Sequence, residues 1–307
     1  ALGEAFATLR RSVIVVMTTA IAISAGLVIL LINYIWIGTI MPVTGLVVMA
    51  SSAWLRRGAA SQQHQKQIQR LLGQATSPAV AQQLWEQRNQ LLKDGRFEGR
   101  QLPVTVLVAD IANFTTVSEH LQPAEVMTWL NRGMAYCVPA VTRRGGMVNK
   151  FTGDGMLAVF GVPISEDPSA DAQSSIEAAL EIRNGLEQLN IELEKEGEPA
   201  MHMRIGIHSG QILAGSMGSS ERLEYAVIGD TVNCASRLES IDKQRHKSIL
   251  RILVSSATRQ QLVDELNENL NWEEWGTIQI KGRKEPLLVA ELTVSNAPAT
   301  GQANPAS

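Results

Sequence analysis

The chain has 307 residues and a formal net charge of −3 at pH 7, so it is long enough for one full domain and an additional segment. This charge balance gives no electrostatic reason to expect nucleic acid as a partner. The two cysteines, Cys137 and Cys234, lie far apart and have no Cys or His neighbour at metal-ligand spacing. We therefore expect both to be small buried residues in a reducing compartment.

An uncharged, apolar stretch covers residues 12–55 and has a pair of arginines at each end. About 20 apolar residues form one transmembrane helix, so we predict a helical hairpin within residues 1–57, with helices at about 12–32 and 35–55. Arginines at both outer ends place those ends in the cytoplasm. The expected location is the inner or plasma membrane, multi-pass, with the following domain cytoplasmic. The alternatives are a signal peptide, which has a far shorter apolar stretch, and a buried core hairpin of a soluble protein, which rarely runs this long without a charge.

Residues 58–101 are polar and rich in Gln, and they predict a helical linker. Its second helix has Ser77 as a candidate N-cap and Pro78 at the first helical position, and it continues without a breaker to Leu92. Two interpretations stay open. The helix is either a solvated spacer or an element that pairs with its twin in a dimer and transmits membrane motion.

The two ends of the chain carry weaker signals. Because the chain opens with Ala1 rather than Met, we expect part of a longer protein, in which a sensor domain could stand upstream. Residues 294–307 are small and polar and include a proline, a composition typical of a disordered tail.

Residues 102–293 have the pattern of a globular domain. The pattern predicts a strand at 103–110, a helix at 123–143, a hairpin at 147–161 and a long helix at 168–195. Two strands at 202–208 and 211–215 follow, then two short helices at 230–241 and 256–267, and two last strands at 275–281 and 286–293. The order is that of a ferredoxin-like α+β fold, a sheet with helices on one face.

Two aspartates are candidate site residues, one at the end of the first predicted strand and one at the tip of the predicted hairpin. Asp110 ends an apolar run that begins at Val104, and Asp154 lies in a Gly-Asp-Gly hairpin tip, where glycine permits the positive φ of a tight turn. The first and third strands of a ferredoxin-like sheet are neighbours, so the two carboxylates are expected to meet. Such a pair suits two Mg²⁺ ions and chemistry on a nucleotide phosphate.

Four segments, in order and at the right spacing, resemble the class III adenylate/guanylate (nucleotidyl) cyclase catalytic domain over about residues 102–293. They are Ala109–Thr115, Asn149–Gly155, Glu224–Arg237 and Ile280–Gly282. Four motifs in one register are specific, whereas one alone is weak. The preceding helices and linker resemble the membrane exit of bacterial cyclases that carry an extracytoplasmic sensor. The resemblance implies a palm-type fold and a lyase that makes a cyclic nucleotide.

The resemblance also implies how the substrate phosphates are held. Asp110 and Asp154 would bind two divalent cations, Mg²⁺ or Mn²⁺, with the backbone carbonyl of Ile111 assisting. The terminal phosphates would be bound by backbone amides and one lysine, namely Asn113, Phe114, Thr115 and Lys281. Asn113 departs from the family, which often has glycine there, but Asn tolerates left-handed geometry better than most residues.

The remaining implied roles concern the base and the transition state. Lys150 and position 226 would read the purine ring, and Asn233 and Arg237, four apart on one helix face, would stabilise the transition state. In the family these groups come from one subunit and the metal aspartates from its partner, so a homodimer with shared sites is implied. Ala226 departs from the Asp or Thr usual in members that use ATP. Lys150 favours ATP, because guanylate-specific members carry an acidic residue there.

The predicted function is therefore a membrane-anchored adenylate cyclase that converts ATP to 3′,5′-cyclic AMP and pyrophosphate by two-metal catalysis. The alternatives are a guanylate cyclase and a pseudo-cyclase that acts as a dimerising signalling module. A dinucleotide-forming cyclase is disfavoured, because its usual Gly-Gly-Asp/Glu-Glu-Phe hairpin is absent. Taken alone, Asp154 fits an ordinary turn, Asp110 a strand cap, and Arg237 with Glu239 a solvated helix face.

Overall fold

The structure is a computed structural model, and it describes residues 21–26, 29, 92–93, 96–219, 223–245, 248–280, 283 and 285–293. Contacts divide the chain into two units, residues 1–66 and 67–307. In the first unit, the described residues 21–26 and 29 are helical. All the strands described below belong to the second unit.

The predicted membrane hairpin is corrected by the structure. Across the described residues, no helix combines the length and the apolar character needed to cross a bilayer. A span needs about 20 continuous helical residues, and an apolar composition alone does not supply them. The prediction of a multi-pass protein of the inner or plasma membrane is therefore wrong on this finding. Most of the two predicted spans, 12–32 and 35–55, lies outside the described residues.

The predicted linker helix and tail also fall largely outside the described residues. The linker is described from Leu92, which pairs with Phe97 in a two-residue antiparallel ladder, Leu92–Lys93 with Arg96–Phe97. Residues 294–307 and Lys281 are not among those described.

The described part of the second unit contains one large sheet and six α-helices. The strands are β1 (Arg100–Ile111), β2 (Met147–Thr152), β3 (Gly155–Phe160), β4 (Met203–Gly218), β5 (Leu223–Ile228), β6 (Leu250–Ser255), β7 (Asn271–Ile278) and β8 (Leu287–Thr293). The helices are α1 (Phe114–His120), α2 (Pro123–Thr142), α3 (Pro168–Glu196), α4 (Asp230–Ser240), α5 (Ser256–Arg259) and α6 (Asp264–Asn269).

The strand order is β2-β3-β1-β4-β6-β8-β7, and β5 pairs with the end of β4. Neighbours are antiparallel, except for the parallel pair of β4 and β6. The first predicted strand thus pairs with the second arm of the hairpin, as the ferredoxin-like arrangement predicted.

Both faces of β1 are buried, which explains its continuous apolar run. Leu107 and Ala109 pack with the buried residues of α2 and α3. Val106 and Val108 point to the opposite face, where Ala235 of α4 joins their cluster. The prediction of helices on one face only is therefore wrong, because α4 covers part of the second face. Asp110 follows Val108 by two residues and shares its side of the strand.

The central strand is longer than predicted. Residues 202–208 and 211–215 were expected to be two strands, but β4 is one 16-residue strand. Its middle does not turn, because Ser209 pairs with Thr105 of β1 and their hydroxyl oxygens lie 2.7 Å apart. Two further strands, β5 and β6, were not predicted, and both pair with β4. The expected helix at 256–267 is broken into α5 and α6.

Candidate active site

The tip of the β2–β3 hairpin lies beside the end of β1. Thr152 pairs with Gly155, which leaves a two-residue loop in which Gly153 has a φ of 77°, as the glycine pattern predicted. A Cβ on Gly155 would lie 2.3 Å from the Ala109 carbonyl oxygen and 3.1 Å from Asp110 Oδ1. Only glycine fits this approach, and it brings the tip against the Asp110 carboxylate.

Asp110 and Asp154 therefore lie together, as the sequence predicted. Burial raises the pKa of the half-buried Asp154, and the charge of Asp110 raises it further. Among the described residues, no three or more His, Cys, Asp or Glu side chains gather as a metal site. Two crowded carboxylates nevertheless fit Mg²⁺, which is commonly held by one or two carboxylates together with substrate phosphates.

Two linked ion pairs, which run from Asp110 through Arg204 to Glu239, orient the Asp110 carboxylate. Arg204 faces Asp110 in the β1–β4 register, and its Nη2 donates to Asp110 Oδ2 at 2.9 Å. Its Nε donates to Glu239 Oε1 of α4 at 2.8 Å. Arg204 and Glu239 are only 3% and 5% exposed. Burial raises the pKa of Glu239, and the hydrogen bond from Arg204 opposes that rise.

Helix α4 has one buried face and one exposed face. Its buried residues are Thr231, Cys234, Ala235, Leu238 and Glu239. Asn233 and Arg237 are exposed. The buried face approaches β4 closely, because a Cβ on Gly206 would lie only 2.2 Å from the Ala235 carbonyl oxygen. The expectation of a solvated face at Arg237 and Glu239 therefore holds for Arg237 and is wrong for Glu239.

Both ends of α4 are held in place. At its start, the Thr231 hydroxyl donates to the Gln211 carbonyl at 2.7 Å. At its end, Arg251 of β6 donates to the carbonyl oxygens of Glu239 and Ile241 at 2.8 and 2.7 Å. A cation among the last carbonyls also complements the helix dipole. Asn233 and Arg237 are therefore presented on a rigid element.

The two predicted base-reading positions, Lys150 and Ala226, each adjoin a residue of one hydrogen bond between β2 and β5. Lys150 is exposed on β2, directly after a register shift that follows Val148. The side chain of Asn149 donates from Nδ2 to the Tyr225 carbonyl at 3.0 Å. Tyr225 precedes the half-buried Ala226 of β5. A single hydrogen bond thus joins the neighbours of both positions.

The predicted phosphate loop follows β1, which ends at the buried Ile111. Asn113 is the N-cap of α1 with φ 58° and ψ 29°, the left-handed geometry that its tolerance predicted. Phe114 and Thr115 begin α1, where the first amides have no partner within the helix. Lys281, the other predicted phosphate ligand, lies outside the described residues.

The family model described as the adenylate and guanylate cyclase catalytic domain matches residues 98–290. The chain belongs to this cyclase family. It is 33% identical over 204 residues to adenylate cyclase 1 of Rhizobium meliloti, covering 66% of this chain and 29% of that one. It is 31% identical over 202 residues to an adenylate cyclase of Anabaena cylindrica, covering 62% and 36%. The cyclase chain thus spans about a third of the length of these curated relatives.

Solved cyclase structures share this fold. The adenylyl cyclase CyaB from P. aeruginosa is 26% identical with a TM-score of 0.58, over 65% of this chain and 97% of that one. The guanylyl cyclase Cya2 is 31% identical with a TM-score of 0.56, over 66% and 97%. These likenesses support the mixed α+β palm-like fold, and they include cyclases of both nucleotide specificities.

Two residues behind the carboxylate pair were not predicted: Arg204, which contacts Asp110, and Glu239, which contacts Arg204. A signal for Arg204 was present, because it is the one charged residue in the apolar stretch Met203–Ile207. Its partner could be found only with the β1–β4 register. Glu239 gave no signal, because a carboxylate two residues after an exposed arginine is usual on a solvated helix.

Proposed function

We propose that the chain is an adenylate cyclase that converts ATP to 3′,5′-cyclic AMP and pyrophosphate at sites shared by two copies of the chain. The observation that carries this proposal is the division of α4 into two faces. Glu239 points through Arg204 toward Asp110 of its own chain. Arg237 precedes Glu239 by two residues, so it lies about 200° away around the helix and points elsewhere.

That direction supports a site shared by two chains. Arg237 and Asn233 are on the side of α4 opposite to its own carboxylate pair, so they serve a substrate held by another chain. Exposed apolar residues offer a surface for that chain. Leu213, Met217 and Ile228, on β4 and β5, are 51%, 47% and 50% exposed. Leu213 pairs with Ile228, and β5 also carries the base-reading position Ala226.

The proposed reaction is an intramolecular phosphoryl transfer. The ribose 3′-oxygen loses its proton and bonds to the α-phosphorus, while the bond from that phosphorus to the bridging oxygen of the β-phosphate breaks. Asn233 and Arg237 of one copy would donate to the oxygens on which charge builds. Divalent cations held by Asp110 and Asp154 would, when bound, lower the pKa of the 3′-hydroxyl and neutralise the leaving pyrophosphate.

The amides at the start of α1 and Lys281 would hold the terminal phosphates. Asn113 supports this proposal, because its left-handed geometry opens the loop as the usual glycine does. A helix start also favours a negative charge.

ATP is the preferred substrate for two reasons. Lys150 can donate to a purine ring nitrogen, and the family's guanylate-specific members have an acidic residue at that position. The two curated relatives described above are adenylate cyclases. The Asn149–Tyr225 hydrogen bond supports Lys150 and Ala226 acting on one base.

Guanylate cyclase activity is the second candidate, and Ala226 favours it. Alanine has no acceptor for the adenine amino group, so the discrimination expected from Asp or Thr is missing. The similarity to the guanylyl cyclase Cya2 also fits this alternative.

One assay tests both candidates. The purified full-length chain is incubated with ATP or GTP at equal concentration, with Mg²⁺ and then Mn²⁺, and the cyclic product is measured. We expect cyclic AMP to form faster than cyclic GMP. Faster formation of cyclic GMP would move the assignment to guanylate cyclase. No cyclic product from either nucleotide with either metal would favour the pseudo-cyclase.

A further inference from the structure

We propose that Glu239 is a positioning residue for the cation half of the cyclase site, which is the carboxylate pair Asp110 and Asp154. Glu239 fixes Arg204 and, through Arg204, the Asp110 carboxylate. This inference rests on the proposed function, and it concerns a residue that does not touch the substrate. It assigns a role to the buried carboxylate of α4, which the reaction described above does not use.

The geometry makes Arg204 a rigid connector. Its guanidinium is planar, and the two donors that it uses, Nε and Nη2, belong to one fixed fork. Nε is bound by Glu239 at 2.8 Å and Nη2 is directed to Asp110 at 2.9 Å. Glu239 therefore determines the plane in which Arg204 meets Asp110. Without that carboxylate, one of the two anchors of the guanidinium is lost.

The two oxygens of Asp110 have different surroundings. Oδ2 accepts from Arg204, whereas Oδ1 lies toward Gly155, at 3.1 Å from the place a Cβ would take. Gly155 adjoins Asp154, so Oδ1 is the oxygen that faces the hairpin tip. By holding Oδ2, Arg204 leaves Oδ1 directed toward the second carboxylate, where both side chains would hold a cation together.

Charge acts in the same direction as geometry. The negative charge of Glu239 balances the positive charge of Arg204 in a buried place where solvent screens little. Replacing Glu239 by Gln would remove one of the two carboxylates that pair with Arg204, so the positive charge of Arg204 would be neutralised by Asp110 alone. Loss of orientation and added positive charge both weaken cation binding. Partners of metal ligands typically contribute about 10- to 100-fold in metal affinity.

A direct binding measurement tests this role without turnover. Mn²⁺ binding to the full chain is followed by the electron paramagnetic resonance signal of free Mn²⁺, with 3′-deoxy-ATP, which lacks the attacking hydroxyl. We expect Glu239→Gln to bind Mn²⁺ about tenfold more weakly than the unsubstituted chain. Glu239→Asp keeps the charge and should recover part of the affinity.

Glu291→Gln is the matched control. Glu291 is also a carboxyl whose pKa is raised by burial, and it accepts from Trp275 Nε1 at 3.1 Å. The Glu291→Gln variant should bind Mn²⁺ with unchanged affinity. Equal affinity in Glu239→Gln and the unsubstituted chain would overturn the proposal, and so would an equal loss in Glu291→Gln.

A mixed dimer locates the effect. In a dimer of Asp154→Asn and Asn233→Ala chains, the one complete site takes its cation half from the Asn233→Ala chain. Adding Glu239→Gln to that chain should raise the Mn²⁺ concentration for half-maximal rate about tenfold. Adding it to the Asp154→Asn chain should leave that concentration unchanged. A shift in both arrangements would indicate a general structural effect and refute positioning.

These outcomes separate the two proposals. If the mixed dimer has no activity even without Glu239→Gln, the shared cyclase site fails, while the binding measurement still decides the role of Glu239. If the mixed dimer is active and Glu239→Gln changes neither binding nor metal dependence, only the positioning role fails.

Discussion

The candidate site has two halves that differ in how their side chains are held. The cation half is the proposed metal-binding pair Asp110 and Asp154, and the α4 half is Asn233 and Arg237. In the cation half, Asp110 is 23% exposed and fixed by Arg204 from behind, and Asp154 meets it across the hairpin tip. In the α4 half, Asn233 and Arg237 are exposed on a helix that is anchored at both ends. The first half is closed on its own chain, and the second points away from it.

This difference would explain the proposed sharing of the site by two chains. Glu239 lies on the buried face of α4 and pairs with Arg204 of its own chain, whereas Arg237 and Asn233 are exposed. In the proposed dimer, the same helix would serve its own chain with Glu239 and another chain with Arg237 and Asn233. Breaking each half separately, and then combining the broken chains, is the sharpest test of this interpretation.

The largest effect is expected from the cation half. Asp154→Asn should abolish cyclic nucleotide formation, because a neutral amide cannot replace the carboxylate in binding a divalent cation. The fold should survive. The pKa of Asp154 is raised, so its charge costs free energy in the folded state, and removing the charge should not lower the free energy of unfolding. Turnover and denaturant unfolding of the purified variant check both statements, and an active variant would contradict the role of Asp154.

The next effect concerns the α4 half and its partner. Asn233→Ala should lower the rate about 10²–10³-fold, the usual cost of one transition-state donor. Mixing equal amounts of Asn233→Ala and Asp154→Asn chains should then restore about a quarter of the normal activity, because half of the dimers are mixed and each holds one complete site. Subunit exchange and the rate of cyclic nucleotide formation are measured together. No recovery in dimers verified as mixed would show that the halves do not combine across chains.

The accuracy of the sequence predictions follows the same division. The meeting of Asp110 and Asp154 was predictable, since an apolar strand and a Gly-Asp-Gly tip are local patterns and the topology joins them. The burial of Glu239 was not, because it depends on how closely α4 approaches Gly206. The membrane hairpin stands corrected, because no helix among the described residues is long and apolar enough to cross a bilayer. The strands β5 and β6 were missed because their pairing with β4 is a tertiary feature.

A smaller effect tests the proposed base-reading positions, Lys150 and Ala226. Ala226→Thr adds a hydroxyl that can accept from the adenine amino group, in a strand whose neighbouring carbonyl is already held by Asn149. We expect the ratio of kcat/KM for ATP to that for GTP to rise about tenfold, the value of about one added hydrogen bond. Ala226→Val has a similar shape without the acceptor and should leave the ratio near its original value. An equal change in both variants would mean that volume, not hydrogen bonding, sets the preference.

The last effect concerns stability rather than turnover, at the buried His208 of β4. Burial lowers the pKa of His208 to about 4, with a further contribution from the charge of Arg283, and its Nδ1 lies 2.7 Å from the Ser255 hydroxyl. The ordinary value is 6.5, so between pH 6.5 and about 4 the unfolded chain binds a proton that the folded chain does not. Stability from His208 is therefore present at neutral pH and is lost as the pH falls through this window. Asp154 acts in the opposite direction, because its pKa is raised.

The variant His208→Asn isolates this contribution. Asn can place a polar atom near the position of Nδ1 but does not titrate, so the remaining carboxylates contribute equally to both proteins. Between pH 7 and pH 5 the unsubstituted chain should lose about 2 kcal/mol more unfolding free energy than the variant, from 1.36 kcal/mol per pKa unit. Urea unfolding at both pH values measures the difference. Parallel losses in the two proteins would show that the pKa of His208 is not lowered in the folded chain.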